Sequence, residues 1–140
     1  MTPLTALYRA LPISSGRVRV GNQTGCGGIA DARLHLEAAR AYEFVDATPA
    51  ARHDDQELVA YCVTNVRAGV EAELTALFGR LPAVRVTLDR VLPHAVDSNE
   101  WINQLAGRSA VQDALRAAGL GGLLPSPEAR YRVVTPPRPS

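Results

Sequence analysis

The chain has 140 residues, 46% of them hydrophobic and 21% charged, and its 15 basic residues, all arginine, nearly balance 14 acidic ones for a net charge of +1. These proportions belong to a folded domain with one core and exclude an intrinsically disordered chain. The near-neutral charge excludes a general attraction for polyanions, so any contact with nucleic acid has to be local.

Residues 1–15 mix Pro3, Pro12 and a Ser14-Ser15 pair with no sustained period, and read as a lead-in arm. From Gly16 the alternation Arg17, Val18, Arg19, Val20 predicts a strand. It breaks at Gly21-Asn-Gln-Thr-Gly-Cys-Gly-Gly28, a turn of residues that tolerate positive φ. Ala30, Ala32, Leu34 and Leu36 alternate with Asp31, Arg33, His35 and Glu37 in the return strand, and Tyr42-Glu-Phe-Val-Asp46 supplies a third. Asp54 and Asp55 offer an N-cap to a helix with apolar residues at Val59, Cys62 or Val63, Val66, Val70, Leu74, Leu77 and Phe78, and Gly79 is its natural stop.

A fourth strand follows, with Val84, Val86 and Leu88 alternating with Arg85, Thr87 and Asp89. Asp97 or Ser98 then caps a second helix, with Glu100 placed for a capping box and Trp101, Ile102, Leu105, Val111 and Leu115 on its apolar face. Gly119 ends that helix, Tyr131, Val133 and Val134 form a closing strand, and residues 136–140 are a flexible tail. The order predicts one α+β domain over residues 16–135, with a four- to five-stranded sheet and two helices on one face. The opposite face then carries Arg17, Arg19, Arg33, Arg85, Arg130 and Arg132 among Asp31, Glu37 and Thr87.

His94, Asp97, Ser98 and Glu100 are the one compact group of imidazole, carboxylates and hydroxyl, but the carboxylates are already used as helix caps, so no catalytic residue is assigned. The glycine loop leads into a strand, not into a helix with lysine and serine, which argues against nucleotide binding. Cys26 and Cys62 lie far apart and outside metal-ligand spacing, so two reduced thiols are expected, with no metal and no cofactor. No stretch approaches the roughly 20 apolar residues that span a bilayer, and the N-terminus has no leader pattern, so a cytoplasmic protein is expected.

Several segments resemble domain IV of translation elongation factor G and of the tetracycline-resistance ribosomal protection proteins. They are Gln23-Thr-Gly-Cys-Gly-Gly28, Tyr42-Glu-Phe-Val-Asp46, Val84-Arg-Val-Thr-Leu-Asp89, His94-Ala-Val-Asp-Ser-Asn-Glu100, Ala106-Gly-Arg-Ser-Ala-Val-Gln-Asp-Ala-Leu115 and Arg132-Val-Val-Thr-Pro136, all in the family's order. The resemblance implies a sandwich like the second domain of ribosomal protein S5, with a left-handed strand-helix-strand crossover that runs against the usual hand. It also implies a tip formed by two loops that contacts the small ribosomal subunit, its RNA or A-site transfer RNA.

Carried over by position, the tip residues are Gln23, Thr24, Gly25, Cys26, Gly27, Gly28, Arg90, His94, Asp97 and Ser98. The chain has room for this domain and not for that factor's GTPase. The expectation is a free-standing ribosome-binding module that modulates translation or protects it from an inhibitor. The alternative is a small-ligand or protein-binding module, possibly a homo-oligomer, motivated by the apolar turn Val91-Leu-Pro93 near Trp101.

Overall fold

The computed structural model describes residues 1–21, 27–94 and 98–137. Its elements run α1 (Pro3–Ala10), β1 (Ile13–Ser14), β2 (Arg17–Gly21), β3 (Ile29–Ala38), β4 (Glu43–Asp46), α2 (Gln56–Phe78), β5 (Val84–Val91), α3 (Glu100–Ala117) and β6 (Arg132–Thr135), with short 3-10 turns at His53–Asp55 and Gly121–Leu123. The result is an α+β fold with a mixed sheet ordered β4-β5-β3-β2-β6, β1 pairing with β3 beside β2. All pairings are antiparallel except β4 with β5, which are parallel neighbours joined through α2.

The predicted alternation sets the two sheet faces. Val18, Val20, Ala30, Ala32, Leu34, Leu36, Val84, Val86 and Leu88 are buried beneath α2 and α3, which supply Val66, Val70, Leu74, Ile102, Ala106, Ala110 and Leu115. The helices can approach closely because two glycines face backbone across their crossing. A Cβ on Gly69 would lie 2.0 Å from the Gln104 carbonyl oxygen, and one on Gly107 would lie 2.2 Å from that of Val66. Helix α2 ends where predicted, with Gly79 at φ 79° and its N–H donating to the Thr75 carbonyl.

Four details differ from the sequence reading. Two of the fifteen residues read as an arm are strand, and eight are helix: Thr2 caps α1 by accepting from the Thr5 amide at 3.1 Å, Pro3 opens it, and Leu7 is fully buried in the core. Two helical turns are too short to display a period, although Thr-Pro is a usable start signal. Second, Asp55 holds the N-cap position of α2 without a side-chain capping bond.

Third, α3 is capped by Asn99, whose Oδ1 accepts from the Ile102 amide at 2.9 Å, so Ser98 lies one residue before the cap and Glu100 opens the helix. Fourth, β5 does not stop at Asp89. A bulge there lets Leu88 face Leu34 and Arg90 face Arg33, so Arg90 turns to the outer face and Val91 returns to the core.

Candidate functional site

The two segments assigned to the tip meet at one end of the sheet. Asn99 Nδ2 donates to the Gly27 carbonyl at 3.1 Å, tying the end of the glycine loop to the start of α3. Gly28, at φ 87°, and Gly21, at φ 75°, form the neck of that loop, where a Cβ on Gly21 would strike the Gly28 carbonyl. On the other side the Ser98 N–H donates to the His94 carbonyl at 2.9 Å and the His94 N–H to the Leu92 carbonyl at 3.1 Å, which fixes both ends of the second loop. Gln23, Thr24, Gly25, Cys26 and Asp97 lie outside the described residues.

The described members of the set divide by direction. Gly27 is exposed and His94 half-buried. The Ser98 hydroxyl is occupied beneath the loop, 3.2 Å from the Cys62 thiol and accepting from Asn103 Nδ2 at 2.8 Å. Burial pushes the Cys62 thiol pKa up, while the Ser98 and Asn103 contacts pull it down. That thiol is buried and free, so α2 supports the loop through it and offers no accessible nucleophile there.

The sequence pattern places Trp101 in the core. It is 61% exposed instead, because the buried face of α3 begins at Ile102, and its ring lies 3.7 Å from where a Cβ on Gly27 would stand. The tip therefore carries an uncovered indole beside a loop backbone. No periodicity argument separates adjacent residues at a helix start, which is why the pattern puts it on the wrong face.

The outer face of the sheet is organised around two carboxylates. Asp31 is fully buried and accepts from Arg17 Nε through Oδ2 and from Arg19 Nε through Oδ1 at 2.9 Å, which also raises the Arg19 pKa. Asp89, at the bulge, accepts from Arg33 Nε at 2.8 Å. Further from the tip, Arg85 bridges Glu37 at 3.0 Å and Glu43 at 2.9 Å, and the Ser14 hydroxyl lies 2.6 Å from His35 Nδ1. Cross-strand pairing and the bulge, neither visible in a linear pattern, decide which arginines are neutralised.

Among the described residues no three His, Cys, Asp or Glu side chains are grouped to hold a metal, and no helix is long and apolar enough to cross a membrane. No family model and no curated protein matches the chain. Among solved structures it is similar to the crystal structure of ttk003000868 from Thermus thermophilus, with a TM-score of 0.58 and 22% identity. The match covers 76% of this chain and 16% of that one, and it establishes a shared fold.

Proposed function

We propose that this chain is a ribosome-binding module of the elongation factor G domain IV type, with the S5-like left-handed crossover at β4-α2-β5, and that it acts by binding and not by catalysis. Its tip engages the A-site region of the small subunit through RNA, modulating translation or shielding the site from an inhibitor. The observation that carries this reading is the joining of the glycine loop to the start of α3 by the bond between Asn99 and Gly27, which brings together the two segments that resemble the family's tip. Co-sedimentation with ribosomes at low salt, where phosphate contacts are strongest, tests it. Association that weakens as salt rises is expected, and absence of association at low salt would remove the reading.

A second reading, self-association or capture of a protein partner, is favoured by the exposed Trp101, since uncovered aromatic surface marks interfaces. A monomer mass that does not change with concentration counts against its self-association form.

A further inference from the structure

Net charge of +1 conceals an uneven distribution. On the half of the outer face nearest the tip, Arg17, Arg19, Arg33, Arg90 and Arg132 stand against Asp31 and Asp89. That leaves a surplus of three positive charges on one side of a nearly neutral molecule. The placement is also costly for the fold. Arg33 directly faces Arg90 across β3 and β5, and Arg19 directly faces Arg132 across β2 and β6. Like charges placed opposite one another destabilise a sheet.

Asp31 and Asp89 relieve Arg17, Arg19 and Arg33 but not the two flanking arginines. Among the described residues, the guanidinium groups of Arg90 and Arg132 have no ion-pair or hydrogen-bond partner. Local conflicts of this kind concentrate at sites with a task beyond stability.

A groove of about 280 Å³ adjoins this face. Arg17 and Arg90 border it, Pro49, Ala50, Leu92 and Pro93 give it an apolar wall, and Asp55 lies at its side. Cationic forks next to a flat apolar wall suit a ligand that carries an anion on a planar apolar body. Guanidinium groups bind phosphate bidentately, and same-face residues two apart on a strand recur every ~6.6 Å, which presents a row of such forks. We propose that this half of the outer face binds the phosphodiester backbone of single-stranded RNA, with one base seated in the groove. The surface adjoins the second tip loop at Arg90 and Leu92 and extends away from it along Arg33, Arg17 and Arg132, and the proposal rests on the ribosome-binding reading by naming a second RNA contact of the same module.

The test is fluorescence anisotropy of a labelled ten-nucleotide oligouridylate with the wild-type chain and with the double variants R90Q/R132Q and R90K/R132K. Three phosphate contacts give a log-log salt slope of about −2, so raising salt from about 50 to 200 mM weakens wild-type binding roughly 20-fold. With one contact left, R90Q/R132Q binds more weakly at low salt and loses only roughly threefold over the same range. R90K/R132K keeps the charge and the salt slope, and Arg80→Gln on the exposed turn after α2 changes nothing.

Equal binding by R90Q/R132Q and wild type overturns the proposal, as does displacement of the oligonucleotide by inorganic phosphate at matched phosphate concentration, which marks a simple anion site. Absence of oligonucleotide binding overturns it too. Ribosome pelleting by R90Q/R132Q that equals the wild type would leave the tip reading standing while the outer-face proposal fell. Failure of the wild type to pellet at all would remove the tip reading itself.

Discussion

Replacing Gly107 by alanine probes the contact on which the helical layer depends. The added methyl would stand 2.2 Å from the Val66 carbonyl oxygen and 3.0 Å from the Val70 nitrogen, both backbone atoms that cannot rotate away. Relief requires α2 and α3 to separate by about 1 Å, and a gap of that size forfeits a quarter to a half of the dispersion energy of the contacts it opens. Overpacking of this kind costs about 1–3 kcal/mol, and the contact with backbone places Gly107→Ala at or above the top of that range. Alanine's better helix propensity returns about 1 kcal/mol, leaving a net loss of about 2 kcal/mol.

For a chain of this length that lowers Tm by about 6 °C, measurable by calorimetry or thermal circular dichroism. Gly69→Ala meets the Gln104 carbonyl in the same way, so the double variant should lose less than the sum, because helices already apart accept the second methyl more easily. An unchanged or raised Tm for Gly107→Ala would refute the close crossing of the two helices.

The sole tryptophan makes the tip directly observable. Emission from the exposed Trp101 should resemble that of free indole in water and be quenched by iodide, and Trp101→Phe should leave Tm unchanged; a blue-shifted, protected emission would contradict its placement. Asp31→Asn removes the charge that holds Arg17 and Arg19, and because both arginines reach solvent the loss should be about 2 kcal/mol, below that of a fully buried pair; no change in urea midpoint would show that the cluster contributes nothing.

The Tyr42 hydroxyl is buried near Glu71 without a hydrogen bond of good geometry, and burial first, then the Glu71 carboxylate, raises its pKa above the ordinary 10.0. A raised pKa gives stability that is complete below pH 10.0 and is lost as pH climbs above it, so the wild type should weaken in that alkaline range. Tyr42→Phe should remove that share of the loss at little cost at neutral pH, and a variant with the wild-type alkaline profile would assign the effect to the Cys62 and Tyr131 groups, whose pKa values burial also raises.

How far the chain could be read in advance follows from the length scale of each signal. Period-two runs in β3 and β5 and the long apolar spacing of α2 repeat often enough to fix face and type, and Gly79 fixes an end. Apart from the arm, whose helix and strand are too short to show a period, the misplacements are single-residue events. Asn99 displaces Asp97 and Ser98 as the cap, Trp101 falls one residue outside the buried arc, and the bulge at Asp89 shifts the phase of everything after it. The reciprocal glycine crossing and the sharing of Asp31 by two arginines depend on partners far away in the chain, and no local window contains them.

Because β5 carries a residue more than its partner at Asp89, deleting that single residue would restore simple alternation with Arg90 still on the outer face and Val91 still in the core, and would remove the carboxylate that accepts from Arg33. The bulge thus adds one acid to this side of the protein and leaves the facing of every other side chain as a regular strand would have it. A relative of this fold with a strand one residue shorter at that position would present the same arginines with one carboxylate fewer, so an insertion of a single residue can temper a charged face without disturbing the core beneath it.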